Sequence, residues 1–256
     1  MTASIALPET ATNPLLTELC IAVAHDLTLL ATLHDKELTP ELAAEIKGLQ
    51  FPLSLGLHLD DRKAESVRTM LFEEIQNWPR EFPDSLQHEL AADYAAIYLN
   101  HYCNASPQES VWIDDDHLAW QEPMFQVREI YGQFELGVDN WRIRADDHLV
   151  TELQFIAYVL TLPDAPEHLS LIACFLDEHL LRWASQFGER VAKRCSTPFY
   201  AGLGLLTALY CETFRDLLAA ILEQPRPTAE EISERMKPEN IQAVPVKFVP
   251  GTEASW

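Results

Sequence analysis

The residues best equipped for chemistry stand in two short clusters, Asp114-Asp115-Asp116-His117 and Asp146-Asp147-His148. Carboxylates beside an imidazole are the donor set of a hard divalent cation or of an acid–base pair. Adjacent side chains on a short loop diverge, however, so three successive aspartates solvate a turn more readily than they enclose an ion. The second cluster precedes an apolar periodic run, where Asp146 or Asp147 can accept from the exposed N–H groups of a helix start. The spacings of known catalytic sites are missing from the sequence. No Glu-x-x-His pair occurs, so the ligands of a di-iron helical bundle are not there. His88-Glu89 is followed by Ala92 where a zinc-binding His-Glu-x-x-His needs its second histidine. The phosphate-cradling loop, the dinucleotide glycine pattern and the nucleophile elbow are absent as well. The expectation is a protein with no catalytic residue, no metal site and no cofactor.

The elements that position these clusters read as helices. Only 8 glycines occur in 256 residues, and no stretch alternates Val, Ile and Thr between turns as strands do. Asn13-Pro14, Thr39-Pro40 and Thr197-Pro198 each put a capping side chain before a proline at the first helical position. Asp84-x-x-Gln87 and Asp164-x-x-Glu167 are similar to capping boxes. Apolar residues at three- and four-residue spacing then predict about eight helices. These lie near 14–34, 40–49, 61–78, 84–103, 121–136, 147–162, 165–193 with room for a break, and 198–223. The fold class is therefore all-α. Residues 1–223 form the expected helical domain, with an N-terminal helix group over 14–136, a hinge over 137–146 and a C-terminal group over 147–223. Residues 224–256 carry Pro225, Pro227, Pro238, Pro245 and Pro250 among charges, which predicts a Pro-rich acidic tail too poor in apolar residues to order itself. Ile241 to Val249 is the stretch able to pack on the body as an extended strap.

Composition narrows the partners. Apolar residues make up 48% of the chain, enough for a sizeable core. The balance of 18 Lys and Arg against 40 Asp and Glu gives a net charge of −22. That field repels nucleic-acid phosphates and anionic lipid and favours a basic partner, although an acidic surface also serves solubility alone. Five cysteines, Cys20, Cys103, Cys174, Cys195 and Cys211, are widely spaced and never form Cys-x-x-Cys, which fits buried thiols in a reducing compartment. The first 35 residues hold no Lys or Arg, so no export signal is expected. The apolar runs Leu15–Leu33 and Phe199–Cys211 are interrupted or short, so no membrane insertion is expected.

The segments Asp93-Tyr94-Ala95-Ala96-Ile97-Tyr98-Leu99, Glu109-Ser110-Val111-Trp112, Val127-Arg128-Glu129-Ile130-Tyr131 and Asp146-Asp147-His148 follow one another in an order that resembles the TorD/DmsD/NarJ chaperones. In that family a D-Y-x-x-L-F helix leads to a loop ending S-V-Y or S-V-W. A V-R-x-x-Y helix follows, and the linker closes with E-P-x-D-H. Phe175-Leu176-x-x-His179-Leu180-x-x-Trp183 and Pro198-Phe199-Tyr200 extend the likeness, which covers roughly residues 15–222. One departure is plain: Arg144-Ala145 stands where the family has Glu-Pro. It puts in doubt any property tied to that pair, including the nucleotide binding of some relatives, and with no phosphate loop GTP is not expected.

The resemblance implies a cytoplasmic chaperone that binds the catalytic subunit of a molybdopterin oxidoreductase, and its twin-arginine signal peptide, before export. Such a peptide offers a basic end and an apolar stretch. Tyr94, Ile97 and Tyr98 share one helical face, and with Trp112 of the following loop they are the expected aromatic floor, Ser110 of that loop being a further expected peptide-binding residue. Asp147, with Asp146 or Asp114 to Asp116 contributing, is the expected partner of the arginines, since bidentate contacts favour Arg over Lys, and His148 is expected to orient Asp147 or to bond across the hinge. The competing readings are ordinary core packing for the aromatics and helix capping for Asp147. The chain is expected to be a monomer, with a domain-swapped dimer as a minor species exchanged through the hinge. The main alternative is a helical scaffold that binds the folded enzyme subunit and ignores its leader. An enzyme using Asp147 with His148 as base is a remote one.

Overall fold

Helix α1, Pro14–Asp35, starts where the Asn13 side chain accepts from the Leu15 N–H at 3.2 Å and proline takes the first position. The computed structural model describes residues 13–100 and 102–237, and all regular elements among them are helical. Helix α2 spans Pro40–Gly48 with Thr39 as its cap, and α3 spans Arg62–Asn77 with Asp61 accepting from Lys63 and Ala64. Helix α4, Asp84–Tyr94, widens into one π turn over Ala95–Leu99. A four-residue α5, Ser110–Ile113, and α6, Glu122–Gly132, lead to an irregular linker before α7, Leu149–Leu160. Helices α8, Leu169–Glu178, and α9, Ala184–Arg194, are separated by a short 3-10 turn at Leu180–Arg182. Helix α10 runs Pro198–Leu222, and α11 covers Ala229–Arg235.

The expected helix starts and the observed ones agree within one or two residues over most of the chain. Three capping expectations are corrected. The cap position before α4 is Pro83, so Asp84 lies inside the helix and makes no capping box. Asp164 precedes a 3-10 turn and makes no side-chain cap bond. Thr197 precedes α10, but its hydroxyl donates to Asp93 rather than capping its own helix. The predicted tail contains α11, closed by a capping box between Thr228 and Glu231. The stretch from Ile241 to Val249 lies outside the described residues. Cys20, Cys103 and Cys211 are buried as expected, Cys195 is half-buried, and Cys174 lies at the surface.

The two helix groups share one core. Helix α1 lies along α7, and α10 lies against α3, α8 and α9. By length and hydropathy α1 passes for a bilayer-crossing helix, yet nine of its residues are buried within the protein. Helices α9 and α10 touch backbone to backbone, because a Cβ on Gly188 would stand 2.5 Å from the Gly204 carbonyl oxygen. Glycine inside a helix costs about 1 kcal/mol relative to alanine, and here the close approach is what it permits.

Buried aspartates fasten the helices to each other. Asp26 of α1 accepts from the N–H groups of Gly56 and Leu57 at 2.8 and 3.3 Å and from the Tyr210 hydroxyl of α10 at 2.7 Å. Asp177 of α8 holds Arg215 of α10 through contacts of 2.7 to 2.9 Å. Asp93 of α4 accepts from the N–H groups of Ser196 and Thr197 and from the Thr197 hydroxyl at 2.6 to 3.0 Å, which fixes where α10 begins. Replacing Asp93 by alanine leaves the two Thr197 donors buried without a partner and the Ser196 N–H to water. The expected loss is about 2–4 kcal/mol of unfolding free energy, measured by urea denaturation.

Candidate functional site

A cleft of about 580 Å³ opens between the end of α1, the α4 π turn, Pro107–Gln108 and the linker 138–148. Its floor is aromatic. The Tyr94 and Tyr98 rings stand 4.8 Å apart between centroids. The Tyr94 hydroxyl donates to the Asp35 carbonyl at 2.6 Å. The Tyr98 hydroxyl meets His34 Nδ1 at 2.5 Å, and His34 Nε2 meets the Thr207 hydroxyl at 2.8 Å. Thr207 in turn donates to the Leu203 carbonyl, so it accepts from His34, and the imidazole is the neutral Nε2–H tautomer. Burial enforces that neutrality by lowering the His34 pKa to about 3. Leu99 and Ile143 line the same cleft and are strongly solvent-exposed, Ile143 at 83%.

The linker is tied down on its inner side. The N–H of Glu109 donates to the Asp147 carbonyl at 2.9 Å and that of Leu149 to the Pro107 carbonyl at 2.8 Å, an isolated antiparallel bridge between Gln108 and His148. Ser110 donates both its N–H and its hydroxyl to Asp147 Oδ2, at 2.8 and 2.5 Å. Arg128 of α6 clasps Asp146 at 2.7 Å, and the Tyr131 hydroxyl donates to the Asp146 carbonyl at 3.0 Å. His148, not Asp146 or Asp147, caps α7, its Nδ1 accepting from Val150 at 3.1 Å.

Of the residues expected to bind a peptide, Tyr94, Tyr98 and His148 come together along the cleft. Ile97 is fully buried in the core. Ser110, Asp146 and Asp147 stand behind the linker with their polar atoms turned inward, Asp147 having no solvent exposure at all. Trp112 is absent from the cleft lining; its indole donates to the Ser106 carbonyl at 2.8 Å and the Arg190 guanidinium covers its ring. Asp114 accepts from the N–H groups of Asp116 and Leu118, the turn-solvating arrangement. No group of His, Cys, Asp and Glu suited to a metal ion occurs among the described residues.

The carboxylates that line the cleft are Asp35 and Asp139; Arg144 lines it too and is ion-paired with Asp35. Sequence reasoning missed His34 and Asp35. They end an apolar run, where a polar pair reads as an ordinary helix terminus.

Behind the linker lies a buried acidic group. Glu109 Oε2 pairs with His179 Nδ1 at 3.0 Å, and Arg182 approaches Glu109 Oε1 at 3.9 Å. Loss of hydration raises the Asp147 pKa against the opposing Ser110 bonds. Glu152 is raised far more, first by its burial and then by the charges of Glu109 and Asp147. The Trp183 indole points its dipole that way without completing a well-formed hydrogen bond.

The fold and cleft define an all-helical protein with an aromatic-floored recess and no catalytic constellation among its described residues. The chain belongs to the nitrate reductase delta subunit family, whose sequence model matches residues 60–189. It is similar to the chaperone protein TorD of Vibrio cholerae serotype O1, 26% identical over 146 residues, or 54% of this chain and 66% of that one. It is also similar to the TorD chaperone of Shewanella pealeana, 30% identical over 127 residues covering 46% and 56%. A third relative, the probable Tat proofreading chaperone DmsD of Haemophilus influenzae, is 26% identical over 123 residues covering 48% and 58%. The chain thus spans less than two thirds of these relatives' own length. All three are named as chaperones and none for a catalysed reaction.

Glu152 and His34 act on stability with opposite signs in pH. Glu152, raised in the fold, removes stability as pH rises above the unfolded carboxyl range near ~4.3, so Glu152→Gln is expected to raise the melting temperature at pH 8 more than at pH 5. His34, lowered in the fold, removes stability as pH falls below the unfolded value near ~6.5 toward about 3, so His34→Gln is expected to flatten the acid limb. Thermal melts across that range check both.

Proposed function

We propose that this chain is a cytoplasmic chaperone that binds the catalytic subunit of a molybdopterin oxidoreductase during cofactor insertion, and that its cleft receives the subunit's twin-arginine leader before export. The observation that carries this reading is the cleft's lining, which combines the paired tyrosines and the exposed apolar side chains Leu99 and Ile143 with the carboxylates Asp35 and Asp139. That combination matches a peptide with a basic end and an apolar stretch. The names of the relatives, one of them a Tat proofreading chaperone, support it. In this reading Tyr94, Tyr98 and His148 touch the peptide. Ile97, Ser110, Trp112, Asp146 and Asp147 serve by holding the helix and the linker that form the walls. The protein catalyses no reaction and needs no cofactor for this task. Domain exchange through the 137–146 hinge remains the proposed route to a minor dimer.

A second reading, binding of the folded subunit without its leader, is favoured by an apolar face outside the cleft. Trp120 and Phe125 are about half exposed, and Trp120 packs edge-on against Trp141, itself covered by Arg142. Retention of full affinity by a leaderless client would support that reading.

Calorimetric titration with a synthetic twin-arginine leader tests the first reading. Saturable binding is expected, weakened when both arginines become lysine. Leu99→Ser combined with Ile143→Ser, both surface changes in the cleft, is expected to weaken it about tenfold while leaving the melting temperature unchanged. Absence of heat with the arginine leader would set the reading aside.

A further inference from the structure

Arg144 lies between two recesses. It lines the 580 Å³ cleft, and with Val138 it also lines an adjoining pocket of about 320 Å³. That second pocket is largely apolar, walled by Leu136, Phe155 and Tyr158. The Arg144 guanidinium is ion-paired with Asp35 at the end of α1, so its side chain stands at the boundary between a recess bearing carboxylates and an apolar one.

We propose that Arg144 occupies Asp35 as an internal stand-in for a client arginine, and that displacing it opens one continuous groove. Resting on the reading of the cleft as a leader site, this inference assigns Asp35 as the acceptor that distinguishes arginine from lysine. Three observations carry it. The pair is partly exposed, both side chains keeping about a third of their exposure (36% and 31%) although the Asp35 oxygen that Arg144 contacts is itself covered, so a competing guanidinium can approach from the solvent side. The rest of the linker has separate anchors, Asp146 on Arg128 and Asp147 on Ser110, so Arg144 can leave without undoing the wall. The order of recesses also suits the peptide: an arginine on Asp35 places the following apolar residues beside Val138, Phe155 and Tyr158. A guanidinium offers a planar fork of donors to a carboxylate where an ammonium offers a point charge, which makes Asp35 a discriminating contact.

The test is calorimetric titration of the full chain with a synthetic peptide carrying two adjacent arginines and an apolar stretch, beside its double-lysine version. Arg144→Ala is expected to bind the arginine peptide about three- to fivefold more tightly than wild type, the gain from removing one exposed ion pair. Arg144→Gln keeps the aliphatic stem and its packing, and is expected to show the same gain. Asp35→Asn is expected to bind the two peptides alike. Unchanged or weaker binding in both Arg144 variants, with wild type still binding the peptide, overturns the stand-in and leaves the leader reading in place. Continued preference for arginine in Asp35→Asn overturns the assignment of the acceptor. No binding by any of these chains overturns the leader reading and this inference together.

Discussion

A carboxylate taken out of water must find donors, and this acidic chain turns that requirement into the rule by which its helices are placed. Asp26 joins α1 to the 56–57 turn and α10, Asp93 joins α4 to the start of α10, and Asp177 joins α8 to α10. Each contact links residues far apart in sequence. An apolar core alone would allow the helices to slide on one another, since burial is indifferent to direction. The aspartates remove that freedom, because a backbone N–H or a guanidinium satisfies them over only a few tenths of an ångström.

The same rule builds the cleft. Its linker wall is held from behind by Asp147 on Ser110 and Asp146 on Arg128, so the outer face of that wall is left to carry exposed Ile143 and the more loosely held Arg144. Its floor is held by the Tyr98–His34–Thr207 chain, in which a buried neutral histidine passes the hydrogen-bond direction from α4 through α1 to α10. In the proposed reading, function draws on the contrast between a wall hydrogen-bonded from behind and exposed side chains in front. A chaperone has to release its client, and adaptable exposed contacts suit that task better than a closely fitted pocket.

The helices were legible in the sequence where local chemistry decides them. Asn13-Pro14 and Thr39-Pro40 start α1 and α2 by side chains two or three residues from the donors they meet. Thr197-Pro198 marked the right place for a reason the sequence does not display, since the Thr197 hydroxyl answers Asp93, 104 positions away. Helix α11 was hidden by the prolines around it, although Thr228 and Glu231 spelled its capping box. At the site, the order of motifs located the right walls but not which way their side chains face. Asp147 turns inward because Ser110, 37 positions earlier, completes its hydrogen bonds, and no local pattern records such a pairing. Asp35 went unnoticed for the converse reason: a single carboxylate at a helix end acquires meaning only when a distant linker brings Arg144 to it.

Amide hydrogen exchange, followed with and without a saturating twin-arginine peptide, tests the central claim that the cleft is where a client segment lies. The account predicts slowed exchange in the π turn 95–99, in 107–109 and in the linker 138–148, with α3 and α8 unaffected. Protection confined to the groove beside Arg226 and Ile232, or to the face bearing Trp120 and Phe125, would contradict it and place the client elsewhere on the protein.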